Sequence, residues 1–534
     1  MTSSTPTGAR VSLFRPGGWP LAVLLLVFVV AGQIAVGAYR SERGLYSDEA
    51  AHFMNGLVLR DYVYDGFGQN PMAFAEDYYA HYPKIAPFMW PPLFHGVLGL
   101  FLLPGWSPQP AAIFLLGLFA TWSAWRLHAA IVTFASIPVS VGAVGLFLGT
   151  PAVVALSSSV MVDTVIAALA IEAAYWLAKF FMSESVRDAA VFGLFVALGC
   201  LAKGNGVALV LMPFFMILIT GRYAILRRAG LYVSALIVVV IAVPLLVVSY
   251  RLDASIGDFG PLGFALIWER TQFYAVHIWR QLGTAPLLFA AVGLVALTRP
   301  AHVLSTAAGS THGFALVALV AAAFAFHVVS PHLLSHQRYI TLALAPLLGL
   351  TALGVFWVSR VVPWPSVRWS LQIATFAAMA VVHLAATPPL RAQVPLGYRA
   401  LVTALHQTNA LADRRLLVVS DEFGEGACVV EVAVLGLTPA PTVIRGSKFL
   451  ASDDWMGRNF HMRYASPDAV FESLVRTGVD YILLDSSAGA AELPYWGQMH
   501  QMIAMHPDRI QLLSDTPVNP EAGPLRPLRL YRLR

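Results

Sequence analysis

Long apolar runs separated by short polar connections fill most of the chain. They lie at 19–39, 111–131, 137–156, 164–182, 189–202, 206–221, 230–250, 283–298, 312–330, 339–358 and 366–386. A helix needs about 20 apolar residues to cross a bilayer, and about 17 is the lower end. The runs predict about eleven transmembrane helices, with 189–202 the shortest. The run Trp19–Tyr39 exceeds the apolar core of a secretory signal, about 7–15 residues, and reads as an uncleaved first span. The segment 93–103 is too short to cross, and Pro91, Pro92 and Pro104 break its flanking turns. It predicts a re-entrant or interfacial segment.

From 388 onward the pattern changes, and charged residues, Pro and Gly become more frequent. Arg415–Ser420 and Val479–Asp485 read as short buried strands, with Thr442–Ile444 a further one. Ser466–Thr477 reads as a helix, with Ser466 as N-cap, Pro467 at the first helical position and Gly478 at the end. Strand alternating with helix predicts a small three-layer α/β domain. The expected organisation is a polytopic α-helical membrane unit over 1–387, with a first outside loop at 40–92, followed by a soluble α/β domain over 388–534.

Composition supports this division. The chain is 58% hydrophobic and 12% charged, against about 25% charged in a soluble domain, so most of its surface faces lipid. The net charge of +5 is spread between apolar runs and forms no basic stripe, which excludes nucleic acid as a partner. Two cysteines, Cys200 and Cys428, make no disulfide framework and are expected as free thiols. There is no internal repeat and no low-complexity tract.

The basic residues also orient the chain. With the N-terminus in the cytoplasm and 93–103 not crossing, Arg126, His128, Lys179, Arg187, Arg222, Arg227, Arg228, Arg299, Arg360 and Arg368 fall on the cytoplasmic side. That is the positive-inside bias, and counting 93–103 as a span would reverse it. The expectation is a multi-pass protein of a bacterial inner membrane with an extracytoplasmic tail. The outside connections are then 40–92, 157–163, Lys203–Gly206, 251–282 and 331–338. Ionisable groups at a membrane edge are costly and are functional candidates by default.

The first outside loop opens Tyr46-Ser47-Asp48-Glu49-Ala50-Ala51-His52. In one reading Ser47 caps a helix through Glu49–Tyr62, and Asp48 and Glu49 suit its positive end. In the other, a carboxylate at the membrane edge takes a proton from an alcohol nucleophile. The loop continues through Tyr78-Tyr79-Ala80-His81-Tyr82-Pro83-Lys84 to Trp90-Pro91-Pro92. Most of these aromatics suit an interfacial belt, but Lys84 is a cation suited to a phosphate at the bilayer surface. Asp163 is either a helix-dipole charge or part of a site, and Lys203 is either a snorkelling turn residue or a ligand. Lys203-Gly204-Asn205-Gly206 lacks the spacing of a phosphate-binding P-loop. Arg338 opens a late span on the outer side, against the positive-inside bias, with a guanidinium fork suited to phosphate. His332 and His336 are four apart and either share a metal or hydrogen-bond at the interface.

These residues resemble the GT-C superfamily of membrane glycosyltransferases, the protein O-mannosyltransferases and lipid A aminoarabinose transferases in particular. The shared features are the Asp48-Glu49 pair after the first span, the stretch from His81-Tyr82-Pro83-Lys84 to Trp90-Pro91-Pro92-Leu93, Asp163, Lys203-Gly204, and Arg338-Tyr339. The resemblance covers 19–360. It implies sugar transfer from a polyprenyl-phosphate donor to an envelope acceptor (lipid, glycan or protein) on the outer face, with inversion. Carried over, Asp48 is the general base, with Glu49 beside it in the catalytic pair. Lys84, Lys203 and Arg338 bind the donor phosphate, with His81, Asp163, Tyr339 and His336 lining the substrate. Glu49, Asp163, His332 and His336 are candidate ligands for a divalent cation, if one is used. The alternative is a transporter or flippase of an anionic lipid, which would place its charges on broken helices near mid-membrane.

Overall fold

A computed structural model of the chain describes residues 18–87, 89–252, 263–299, 307–330, 335–386, 395–452, 459–515 and 527–534. Arg10, Arg15, His332 and the expected boundary at 387/388 lie outside the described residues.

The protein is mostly helical. Among the described residues six helices are long and apolar enough to cross a membrane: Pro108–Ile131, Asp163–Ser183, Ala229–Ser249, Gly309–Val329, Gln337–Ser359 and Pro365–Ala385. Two bent pairs raise the number to 8 if each is one span. Trp19–Ala35, Leu93–Leu102 and Gly204–Thr220 are shorter apolar helices. Every run read as a span is helical, and 189–202 lies within Val186–Ala202.

The bends have local causes. Ile137–Gly149 and Pro151–Ser157 meet at 63° where Thr150 is extended before Pro151. Proline pushes its predecessor out of the helical region and cannot donate to the turn before it. Phe264–Leu282 and Thr284–Leu297 meet at 109° at Gly283, whose φ is 77°. The connection 251–282, read as an outside loop, thus contains the 19-residue helix Phe264–Leu282. Gln337–Ser359 is central, with 83% of its apolar window buried inside the protein, whereas Ala229–Ser249 at 11% faces outward along its length. Leu93–Leu102 has only 10 residues and packs on the loop helix Glu49–Asp65, in keeping with a segment that does not cross.

The C-terminal part forms a mixed sheet. Its strands, with a short two-stranded ribbon, are β1 (Arg415–Val419), β2 (Thr442–Arg445), β3 (Ala451–Ser452), β4 (His461–Met462), β5 (Tyr481–Asp485), β6 (Ile510–Asp515) and β7 (Leu528–Leu533). The five-stranded order is β2-β1-β5-β7-β6, parallel through β2, β1 and β5 and antiparallel at β7. Strand alternation builds the layers. Leu416, Val418 and Leu483 face helices Tyr398–Gln407 and Glu422–Val434, in a core that runs on into Phe53, Leu57 and Phe94. Leu417, Val419, Ile482 and Leu484 face Val470, Leu474 and Met499 on the opposite side. Ser466 caps Pro467–Thr477 by accepting from the Ala469 N–H, and Gly478 ends the helix at φ 69°.

Polar contacts lock this sheet unit onto the membrane unit. Arg399 pairs with buried Glu431 at 3.0 Å, and Gln109 donates to the same carboxylate at 2.6 Å. Arg399 also donates to the Ser41 carbonyl, and Glu42 accepts from the Tyr398 N–H. Arg43, buried at φ 61°, donates to the Gln109 carbonyl at 2.7 Å. Both cysteines are buried free thiols.

Candidate active site at the membrane edge

The site is built where helix ends meet. Asp48 precedes helix Glu49–Asp65 and is in helical conformation, and neither its side chain nor that of Ser47 caps the helix. The expected Ser47 cap is therefore absent, because Asp48 is drawn into a tertiary contact. Its Oδ2 accepts from Arg338 Nη2 at 2.7 Å, across 290 residues of sequence. Arg338 stands in a short 3-10 turn, Gln337–Ile340, before the Thr341–Ser359 helix. Its Nε is buried without a hydrogen-bond partner among the described residues, so the guanidinium keeps a donor in reserve.

A second ion pair lies beside the first. Asp163 is the first residue of its helix and wholly buried, and its Oδ1 accepts from Lys203 Nζ at 2.7 Å. Lys203 ends helix Val186–Ala202 in an extended conformation. The turn after it is tight: a Cβ on Gly206 would stand 2.1 Å from the Gly199 carbonyl oxygen, so only glycine fits. Tyr339 joins the pairs, with Lys203 Nζ 4.9 Å and the Arg338 guanidinium 5.7 Å from its ring centroid. His327 stacks on Tyr339 at 5.4 Å. His336 accepts from the Arg338 N–H through Nδ1, and burial, then the neighbouring Arg338, push its imidazole down to about 4.

Lys84 approaches from the first loop. Its ammonium has no hydrogen bond or ion pair among the described residues. Burial and the nearby Arg445 push its pKa down to about 8, against the opposing pull of Glu425, Glu422 and Asp48. Asp48, Arg338, Asp163, Lys203 and Tyr339 thus form one constellation, with Lys84 in electrostatic reach of Asp48.

Other expected residues are placed elsewhere. Glu49 is wholly buried; it accepts from the Val160 N–H at 3.0 Å and the Leu45 N–H at 3.2 Å, with Arg43 Nη1 3.9 Å away. Both oxygens of this carboxylate are thus engaged by backbone donors, Oε1 by Val160 and Oε2 by Leu45. His81 contacts Asp77 on its own helix and is not drawn into the constellation. Among the described residues no three His, Cys, Asp or Glu side chains converge as a metal-ligand set. Glu49 is held by backbone N–H groups, Asp163 by Lys203, and His336 by the Arg338 N–H.

Sequence reasoning missed several neighbours. His52 Nδ1 lies 3.0 Å from His95 Nε2 in a buried pair tying the loop helix to Leu93–Leu102. Its one signal was the four-residue spacing from Asp48. Tyr46 is pushed up to about 12 by burial and by Asp163 and Glu49. Arg270, buried on the amphipathic helix Phe264–Leu282, donates to the Ser330 carbonyl.

No family profile matches the sequence, and no curated protein matches it. Solved structures do. Over 97% of this chain and 98% of its own, ArnT from Cupriavidus metallidurans bound to undecaprenyl phosphate is similar, with TM-score 0.56 and 13% identity. The same protein in its apo state gives 0.54 at 12% identity, covering 96% and 98%. The apo oligosaccharyltransferase of Archaeoglobus fulgidus gives 0.50 at 11% identity, over 87% of this chain and 69% of that one. At such identity the likeness establishes the fold: this chain shares the architecture of these structures over nearly its whole length, the C-terminal sheet unit included.

Proposed function

We propose that this protein is a membrane glycosyltransferase that moves a sugar from a polyprenyl-phosphate donor to an envelope acceptor at the outer face of a bacterial inner membrane. The observation that carries the reading is the convergence of Asp48–Arg338 and Asp163–Lys203 on Tyr339, with the Lys84 ammonium, unpaired among the described residues, in reach of Asp48. A donor phosphate needs cations at a membrane edge, and an acceptor hydroxyl needs a base beside them. The neighbour crystallised with undecaprenyl phosphate has the same fold, which supports a lipid-phosphate ligand.

In this reading Asp48 is the general base. The acceptor oxygen bonds to the anomeric carbon as its proton passes to Asp48 Oδ1, the oxygen that Arg338 does not engage. The bond from that carbon to the phosphate oxygen breaks on the opposite face, giving inversion and releasing polyprenyl phosphate. Lys84, Lys203 and the spare Nε–H of Arg338 take up the negative charge on the leaving phosphate. Asp163 orients Lys203, and Tyr339 forms an aromatic wall. Glu49 fixes the start of the loop helix and so the direction of Asp48.

The test is transfer from labelled polyprenyl-phosphate sugars to an envelope extract by purified wild type and Asp48→Asn. Loss of transfer with donor binding retained supports the base. Full transfer by Asp48→Asn refutes it.

A further inference from the structure

Among the described residues the C-terminal sheet unit reaches the constellation at Lys84. Helix Glu422–Val434 packs on loop helix Glu49–Asp65 so closely that a Cβ on Gly426 would stand 2.8 Å from Ala50 Cβ. The same Cβ would lie 3.3 Å from Lys84 Cε and 3.6 Å from Lys84 Nζ. The lysine's stem and ammonium therefore lie along the glycine face of a helix that belongs to the tail. Glu422 is four residues before Gly426, so it lies on that same face one turn nearer the helix start. It has no hydrogen bond or ion pair among the described residues. A third contact fixes the backbone next to the lysine: Arg445 Nη1 donates to the Pro83 carbonyl at 3.4 Å. Arg445 is itself held by buried Glu425 at 2.9 Å, and Glu425 also accepts from the Ser447 N–H and hydroxyl.

We infer that the soluble unit supplies one wall of the phosphate site, with Gly426 and Glu422 as positioning residues that set the place and the charge of the Lys84 ammonium. The inference rests on the reading of Lys84 as a donor-phosphate ligand, and it makes the tail part of the site rather than an appended module. Gly426 leaves room for the stem. Glu422 supplies a carboxylate that favours the charged amine where burial disfavours it. The charged groups acting on this amine are Asp48 from the loop and Glu422, Glu425 and Arg445 from the tail. Lysine is cationic below its pKa, so phosphate binding weakens as pH rises through about 8.

The test measures the affinity of the full-length protein for undecaprenyl phosphate in detergent micelles, from neutral to alkaline pH. Wild type is expected to lose affinity around the Lys84 midpoint, and Lys84→Met is expected to bind weakly without that dependence. Glu422→Gln should move the midpoint down by about 0.5 unit. Gly426→Ala should weaken binding by roughly tenfold at every pH as the stem is displaced. If Lys84→Met behaves as expected but Glu422→Gln and Gly426→Ala both match wild type in midpoint and affinity, the inference about the tail is overturned and the reading of Lys84 stands. If Lys84→Met binds like wild type, the reading of Lys84 fails and the inference with it. Glu422→Gln decides the question even if Gly426→Ala does not fold, because among the described residues the Glu422 side chain makes no hydrogen bond or ion pair whose loss would unfold the protein.

Discussion

Replacing Lys203 by Met would leave the Asp163 carboxylate buried without its cation. Asp163 is wholly inaccessible, and among the described residues its Oδ2 has no hydrogen-bond partner and Lys203 is the side chain that donates to it. At 2.7 Å and an effective dielectric of about 20, the gross attraction is about 6 kcal/mol. Desolvating both groups cancels much of it, but removing one partner from a buried pair typically costs about 3–5 kcal/mol. Lys203→Met should therefore lose about that much stability, and Asp163→Asn somewhat less, since the Lys203 side chain keeps some solvent access at 11%. The double variant removes both charges of the pair together and should return to within about 1–2 kcal/mol of wild type. Equilibrium denaturation in mixed micelles, followed by tryptophan fluorescence as a double-mutant cycle, measures the coupling. All three variants should be inactive in transfer, which separates the structural cost from the functional one. If the two single losses simply add in the double variant, the pair is not coupled and the argument from burial fails.

Asp48→Asn should lower transfer by about 10²–10⁴-fold, while undecaprenyl phosphate binding stays equal or tightens because Arg338 is released; kcat and donor affinity measured together check this. Gly206→Val would force a Cβ against the Gly199 carbonyl and should cost about 2–3 kcal/mol, read as an earlier unfolding midpoint. Arg399→Met removes a charged partner of buried Glu431 and a tie to Ser41; it should cost about 1–3 kcal/mol and speed amide exchange in helix Tyr398–Gln407.

What was legible in the sequence was what local pattern encodes. The apolar runs located the helices, and the proline brackets marked Leu93–Leu102 as short. In the tail, Ser466, Pro467 and Gly478 spelled out one helix almost to the residue, because capping chemistry is local. The cations and carboxylates of the site stood out because charge is scarce in an apolar chain. Their partners were not legible. Asp48 meets Arg338 across 290 residues, and Gln109 meets Glu431 across 322. Neighbouring Asp48 and Glu49 looked equivalent, yet the turn before the loop helix sends one to an arginine at the edge and the other to buried backbone N–H groups. Ser47 looked like a cap because the sequence cannot show that Arg338 competes for the adjoining residue. Lys84 was recognised as a cation, but its wall is the tail helix at Gly426, and a glycine's close approach leaves no local signature.

Whether a bond is broken at this site is measured by following a doubly labelled polyprenyl-phosphate sugar with purified protein in liposomes containing an envelope acceptor extract. A glycosyltransferase moves the sugar label onto a new product with inverted anomeric configuration while free polyprenyl phosphate accumulates in equal amount. Movement of the intact lipid between leaflets, with no separation of the two labels, would contradict that reading and identify a transporter.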